Sequence, residues 1–260
     1  MEMTVINDKK YTEYESLLLE RDQFQKEAGQ AWTCYTQVFG QLISDVYEEK
    51  IECIKCKKTI ACYQQAQNRG GVVDQAAVQE YLEREMASYY ANLKRMLDDY
   101  ERCKNAGTST SYEVRRSRTL YRRLAKLIHP DINPETDRQE VLKELWVRIL
   151  KAYGRSDIRE LSELEVLVRK ALKDLGAGEI RVDIPDIKER INALKDEIFE
   201  ITHTEPYTYK TLLDDEEKVE KKKAELQDEL DSYRKYHGEL DGVIVRMINS
   251  GGIRIQWRMN

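Results

Sequence analysis

The sequence has few residues that interrupt helices, with only 4 prolines and 12 glycines among 260 residues. No apolar stretch approaches the length of a membrane span, and the first ten residues, MEMTVINDKK, contain no apolar signal-peptide core. The 5 cysteines are an odd number without the paired spacing of a disulfide framework, which is typical of a reducing compartment. These absences argue against a membrane protein and against a disulfide-rich secreted domain. They favour a soluble, cytoplasmic protein.

Acidic and basic residues are nearly balanced. The chain carries 48 acidic and 43 basic residues, a net charge of −5. General affinity for nucleic acid requires a basic footprint, so nucleic acid is not an expected partner and any basic patch must be local. The sequence also contains no Walker loop, dinucleotide fingerprint or nucleophile elbow. We therefore predict neither an enzyme activity nor a cofactor.

What the sequence does contain is long helical periodicity. With 35% charged and 41% hydrophobic residues, it predicts an all-α protein whose core is spread along helix seams. Residues 10–67 and 75–105 are predicted helices, joined by a glycine turn at 68–74. So short a connection predicts that they form a long helical hairpin, which makes residues 1–107 an N-terminal domain.

A heptad period marks the C-terminal region, residues 177–260. Apolar residues recur in steps of four and three from 187 to 201 and resume from 219 to 247, which predicts an antiparallel coiled coil with unequal arms. The far half of the longer arm must pack on the N-terminal hairpin or on a second subunit, so a homodimer is one alternative. Residues 179–184 and 253–257 alternate, and they could pair as a two-stranded β-ribbon, unless the last ten residues form a disordered tail.

The central segment, residues 108–176, begins with a basic helix that ends in a loop. Thr110 and Glu113 have capping-box spacing, and the helix should end at His129 because the residue before a proline is pushed out of helical geometry. One face of this helix is apolar. The basic residues on and beside the opposite face are Arg115, Arg116, Arg118, Arg122, Arg123 and Lys126. They could form a local positive field that steers an acidic partner, although such a run taken alone is usually a solvated face.

The loop itself reads His129-Pro130-Asp131. The proline fixes the backbone at the helix exit, so the histidine and the aspartate are held in a defined geometry. An exposed carboxylate in this position could make charge-assisted hydrogen bonds to an arginine of a partner. A catalytic role is not predicted, because one histidine and one aspartate without a nearby serine or cysteine nucleophile make neither a triad nor a metal set.

The segment YRRLAKLIHPDINPE, residues 121–135, resembles the second helix and loop of the J domain of DnaJ-type co-chaperones. The next helix agrees with that family's pattern of an aromatic, an aliphatic and an Ala-Tyr pair. These positions are occupied by Trp146, Ile149, Ala152 and Tyr153. The resemblance covers about residues 112–157, and it implies that this segment folds as a J-like helical hairpin.

The resemblance also implies a partner. In J domains the His-Pro-Asp loop and the basic face of the preceding helix dock on a DnaK-type chaperone ATPase and stimulate ATP hydrolysis. His129, Pro130 and Asp131 would then form the trigger. The implied electrostatic contacts are Arg122, Arg123 and Lys126, and Arg115 and Arg118 extend the same basic face. The family's Gly/Phe-rich linker and zinc-binding module are missing, so an unknown client protein would have to contact the helical arms.

The sequence departs from the J-domain pattern in several places. The first helix of the family has no clear counterpart, unless the end of the 75–105 helix supplies it. Ser117 stands where the family usually has an aliphatic residue, and Ile128 stands where an aromatic is common. A second hypothesis follows from these departures and from the unequal arms. The chain could be a coiled-coil scaffold that self-associates and carries an inactive J-like module.

Cysteine and histidine residues are the candidate metal ligands of the sequence. Cys53 and Cys56 form a Cys-x-x-Cys inside a predicted helix, and a zinc ribbon would need a second such pair, which the sequence lacks. They are therefore predicted to be buried helical residues. His203, at the predicted hairpin tip, and His237, on the heptad seam, have no ligand partner at helical spacing. No metal site is predicted.

Overall fold

The structure, a computed structural model, describes residues 2–107, 109–176 and 186–256. The described chain is helical almost throughout, which confirms the all-α class. Its helices are α1 (Glu2–Asn68), α2 (Gln75–Lys104), α3 (Ser111–Ile128), α4 (Glu135–Arg138), α5 (Glu140–Gly154), α6 (Ile158–Asp174), α7 (Ile187–His203), α8 (Tyr209–Leu213) and α9 (Glu216–Asn249). Its strands are β1 (Val72–Asp74) and β2 (Arg254–Gln256). None of the described helices combines the length and the apolar character that crossing a bilayer requires.

Local sequence signals explain where several helices begin. The carboxylate of Asp74 caps α2, and the carboxylate of Asp157 caps α6. At the start of α3, the Thr110 hydroxyl accepts a hydrogen bond from the backbone of Glu113, whose carboxylate in turn accepts one from the backbone of Thr110. Each cap satisfies a backbone N–H that the first helical turn cannot bond internally. The predicted starts of α2 and α3 are confirmed.

The chain forms two compact units, and each unit is discontinuous in sequence. Unit 1 contains residues 1–32 and 107–210, and unit 2 contains residues 33–106 and 211–260. Helix α1 contributes its first part to unit 1 and the remainder to unit 2. The predicted domains were continuous segments, whereas a helix of 67 residues is long enough to pack against different partners along its length.

The main core of unit 1 is formed by α3, α5 and α6, together with Leu19 of α1. The apolar faces predicted for α3 and for the helix after the loop are both buried in it. Its most completely buried members include Leu120, Tyr121, Leu124, Leu142, Ile149, Leu161 and Leu164. The His-Pro-Asp loop connects α3 to α4 and α5. Because α3 and α5 are both packed in this core, the core fixes the position of the loop between them.

The heptad residues of α7 and α9 make buried contacts with α1, and packing on the N-terminal hairpin is one of the two alternatives expected for the far half of the longer arm. The pairing of α7 with α9 stays a prediction. In unit 1, Ile191 and Leu194 of α7 share a buried cluster with Leu18 of α1. In unit 2, Leu240 of α9 shares a cluster with Cys53 of α1. A heptad period specifies an apolar stripe on a helix, but it does not specify which helix covers that stripe.

The small sheet contains one of the two predicted ribbon strands. Strand β2, within the predicted stretch 253–257, pairs in parallel with β1, so that Ile255 lies opposite Val73. The other predicted ribbon strand, residues 179–184, lies outside the described residues. Ile253 and Val73 are buried in one cluster of unit 2, and this burial favours the observed pairing. Alternation over so few residues indicates which face is apolar but cannot identify the partner strand.

Candidate functional site

The candidate site is the end of α3 and the loop that follows it. At His129 the backbone leaves the helix in an extended conformation, as the following proline requires. The last carbonyls of a helix lack internal partners, and side chains from beyond the loop bond two of them here. The Asn133 amide donates to the Leu127 carbonyl, and the Thr136 hydroxyl donates to the Ile128 carbonyl, each at 3.0 Å. The loop is therefore fixed to the helix that precedes it.

His129 is buried, and its hydrogen bonds define the tautomer of its ring. The Nδ1 atom accepts a 3.1 Å hydrogen bond from the backbone N–H of Asp131, so the ring hydrogen belongs on Nε2. Nε2 lies 3.4 Å from an Asp22 carboxylate oxygen of α1. The ring also packs edge-on to Trp146, with centroids 4.8 Å apart. The histidine of the motif thus faces the interior of unit 1.

Asp22 is the buried anion that receives this histidine. It accepts a 2.6 Å hydrogen bond from the Tyr121 hydroxyl and lies 2.8 Å from the Arg21 guanidinium. Burial alone would raise the pKa of Asp22, but the contacts with His129, Arg21 and Tyr121 outweigh it and hold that pKa below its ordinary value. Burial and the neighbouring Asp22 charge raise the pKa of Tyr121, so its hydroxyl stays a donor at neutral pH.

Asp131 is the exposed member of the motif. Its side chain is 42% accessible, against 4% for the side chain of His129. The Arg21 guanidinium lies 3.7 Å from the Asp131 carboxylate and 3.7 Å from that of Glu197 in α7. The next residue, Ile132, is buried in a cluster with apolar residues of α1 and α7. Helices α1 and α7, which the sequence did not connect with the loop, therefore pack against Ile132.

Two of the predicted basic contacts are engaged within unit 1. The Lys126 ammonium lies 2.6 Å from the Glu15 carboxylate of α1, and the Arg123 guanidinium lies 2.9 Å from the Glu165 carboxylate of α6. Both cations are exposed. Exposed ion pairs contribute only about 0.2–1 kcal/mol, so an incoming carboxylate could replace either partner at low cost.

The other basic residues of α3 divide into two groups. Arg115, Arg116 and Arg122 are exposed, and no ion pair with another described residue engages them. Arg118 is half-buried, and its Nε atom is a buried donor without a hydrogen-bond acceptor among the described residues. The exposed cationic surface of α3 is therefore narrower than the sequence predicted, because Arg118 does not belong to it.

Ser117, which departs from the J-domain pattern, contacts a buried lysine of α1. The Lys26 ammonium of α1 donates to the Ser117 hydroxyl at 3.2 Å and to the Ser156 hydroxyl at 2.9 Å, and it lies 4.0 Å from the centroid of the Tyr153 ring. Burial lowers the pKa of Lys26 to about 8. An aliphatic residue at 117 would remove one acceptor from this buried ammonium. The serine was the only local sign that a polar group from elsewhere packs here.

The end of the 75–105 helix, which the sequence offered as a counterpart of the first helix of the J-domain pattern, does not pack in the core of α3 and α5. The segment that packs against the core of α3 and α5 is the first part of α1, which supplies Leu19, Asp22 and Lys26. The end of the 75–105 helix belongs to unit 2. Position along the chain was misleading, because α1 is separated from α3 by the whole of α2.

A second group of reactive side chains lies in unit 2. The Cys56 thiol, a His237 ring nitrogen and an Asp241 carboxylate oxygen all lie within 4.8 Å of one another. From the sequence, Cys56 was predicted to be a buried helical residue because no second Cys-x-x-Cys pair exists, and His237 was predicted to lack a ligand partner at helical spacing. The cysteine and the aspartate are 185 positions apart, so their proximity had no local sign. A partial signal existed, because His237 and Asp241 are four residues apart on one helix face.

Comparison of the chain with family models, with curated proteins and with solved structures gives no match in any of the three. The resemblance to the J domain therefore stays a prediction, based on residues 121–135 and the helix that follows.

Proposed function

We propose that the chain is a J-domain-like co-chaperone that docks on a DnaK-type chaperone through Asp131 and the exposed arginines of α3 and stimulates its ATPase. The observation that carries this proposal is the position of Asp131. Its carboxylate is exposed at the end of a basic helix whose opposite face is packed in the unit 1 core. The described cysteines are all free, which suits the reducing cytoplasm as the place of this function.

The charges of the surface suit a partner that carries both signs. Arg115, Arg116 and Arg122 offer exposed guanidinium groups, which bind carboxylates through paired hydrogen bonds. Asp131 offers a carboxylate to an arginine of the partner. Its present neighbour, Arg21, lies 3.7 Å away, which is longer than a direct hydrogen bond. A partner arginine could therefore approach Asp131 without breaking a strong internal bond.

The test is single-turnover ATP hydrolysis by the DnaK homologue of the same host, with and without the full chain. We expect the wild-type chain to stimulate hydrolysis and Asp131→Asn to reduce its apparent affinity about tenfold or more, because a charge-assisted bond contributes about 1.5–3 kcal/mol. Asp137→Asn is the matched control, since Asp137 is an exposed aspartate of α4 outside the motif. The absence of stimulation, or an equal effect of both substitutions, would overturn the proposal.

The burial of His129 favours a second candidate, a helical scaffold with an inactive J-like module. The Nε2 atom of His129 faces Asp22, and Ile132 is covered by α1 and α7, so Asp131 is the one exposed side chain of the motif. Sedimentation of the full chain, combined with the ATPase assay, separates the two candidates. A stable homo-oligomer without ATPase stimulation supports the scaffold, and stimulation that depends on Asp131 supports the co-chaperone.

A further inference from the structure

We propose that Cys56 of α1 and His237 and Asp241 of α9 form a zinc-binding site in unit 2. The ion would join α1 to α9 within this unit. The site is separate from the His-Pro-Asp loop, and it does not depend on the function proposed for that loop.

The spacing of the ligand atoms fits zinc. The Cys56 sulfur lies 3.3 Å from Asp241 Oδ1, and His237 Nε2 lies 3.6 Å from Asp241 Oδ2. In a tetrahedral zinc site with bonds of about 2.0–2.3 Å, neighbouring ligand atoms are about 3.3–3.5 Å apart. These two contacts reach different oxygens of the Asp241 carboxylate, and one ligand atom from each of the three residues lies within 4.8 Å of the others. Small side-chain adjustments therefore bring the three groups to the separations of a zinc site, and the helices need not move. A set that combines sulfur, nitrogen and oxygen favours zinc over magnesium or calcium, which take oxygen ligands.

The orientation of His237 is also suitable. Its Nδ1 atom lies 3.0 Å from a Glu49 carboxylate oxygen of α1. An ionised carboxylate can only accept a hydrogen bond, so Nδ1 carries the hydrogen, and in the neutral ring Nε2 presents its lone pair towards Asp241. Metal-binding histidines commonly have this arrangement, in which a carboxylate on one nitrogen orients the other for the metal. Glu49 is thus a positioning residue for the proposed site.

The proposed site is accessible to solvent on one side. Cys56 is buried beside Leu240 of α9, while His237 is half-buried and Asp241 is exposed, so the site is reachable from solvent. The neighbouring Cys53 thiol donates to the Tyr233 carbonyl at 3.5 Å, and we do not count it as a ligand. Three protein ligands leave the fourth position of a tetrahedral ion to water.

A reactive thiol is the alternative role for Cys56, and its surroundings oppose that role. Burial and the adjacent Asp241 carboxylate raise the pKa of the Cys56 thiol to about 12, so without a cation the thiol keeps its proton at neutral pH. Zinc binding would replace that proton, which passes to solvent, and no oxidant or reductant is needed.

The experiment uses the full chain after treatment with a chelator, titrated with cobalt(II) chloride and then with zinc chloride. We expect one equivalent of cobalt to produce tetrahedral d–d absorption and a thiolate-to-cobalt charge-transfer band, and zinc to abolish both by displacement. Cys56→Ser should lose the charge-transfer band. Cys62→Ser should keep it, because Cys62 lies on the same helix but outside the cluster.

Two further variants make the test specific. His237→Gln should remove stoichiometric zinc binding measured by calorimetry, and Glu49→Gln should weaken it about 10–100-fold, as the loss of an orienting carboxylate does in other zinc sites. Zinc chloride should raise the melting temperature of the wild type but not that of Cys56→Ser, and magnesium chloride should raise neither. Circular dichroism of the metal-free variants verifies that they fold. The inference is overturned if the wild type binds no zinc, or if Cys56→Ser and Cys62→Ser behave alike.

Discussion

Asp22 places a carboxylate inside unit 1, where donors from Arg21, Tyr121 and His129 approach it. Removing its charge by Asp22→Asn leaves these groups without an anionic acceptor. We expect the free energy of unfolding to fall by about 3 kcal/mol at pH 7, since breaking a buried charge pair is strongly destabilising. Urea denaturation measures this change, and Asp137→Asn, at an exposed site, should be close to neutral.

The pH dependence gives the same prediction a second, independent readout. The pKa of Asp22 in the folded protein lies below its unfolded value, so its stabilisation is fully present above about pH 4 and is lost as pH falls through the folded pKa. The stability difference between the wild type and Asp22→Asn should therefore shrink below about pH 4. A difference that stays constant down to pH 2 would contradict the assignment of Asp22 as the buried anion.

Some properties of single residues could be predicted from the local sequence, and others could not. The motif at His129 and the exposure expected for Asp131 could be derived locally, because a proline after a basic helix defines a loop. The burial of His129 could not, since it depends on Asp22, whose bond to Tyr121 joins residues 99 positions apart. Ser117 was noted as an exception to the family pattern, but its polar partner, Lys26, had no local signature.

At the scale of elements, α5 connects the loop to the unit 1 core. Leu142 is fully buried there, whereas the adjacent Val141 is 59% exposed. We expect Leu142→Ala to lower the free energy of unfolding by about 2–5 kcal/mol, because it leaves a cavity in a packed core. Val141→Ala should change it by less than about 0.5 kcal/mol, since an exposed valine packs little and alanine favours helix. Thermal unfolding followed by circular dichroism measures both, and similar losses would show that α5 does not pack through this face.

Helix boundaries were more predictable than helix partners. The starts of α2, α3 and α6 depend on caps at Asp74, Thr110 and Asp157, which act within one turn. The partners of α7 and α9 depend on contacts with α1 that cross much of the chain. The apolar stripe of each helix was visible, but several helices could have covered it. The Cys56–His237–Asp241 cluster was missed for the same reason.

For the molecule as a whole, unit 2 is completed by a segment from the other end of the chain. Residues 33–106 form part of it and residues 211–260 supply the rest, including the β2 strand that pairs with β1. Within this unit the turn before β1 is tightly constrained. Gly71 has a φ of +80°, and its carbonyl accepts a hydrogen bond from the backbone N–H of Arg254. The joining of the two segments therefore depends on a backbone shape that favours glycine.

Gly71→Ala should weaken that connection. A β-carbon at this position would lie 2.8 Å from the Gly252 carbonyl oxygen, and the positive φ would be strained in any case. We expect a loss of about 2 kcal/mol or more in the free energy of unfolding and faster hydrogen exchange in β2 and the end of α9. Gly238→Ala is the control within the same unit. Gly238 lies within α9 with open space around its α-carbon, so alanine should stabilise the protein by about 0.5–1 kcal/mol. Equal effects of the two substitutions, or unchanged exchange in β2 for Gly71→Ala, would show that the β1–β2 contact does not hold the C-terminal segment in unit 2.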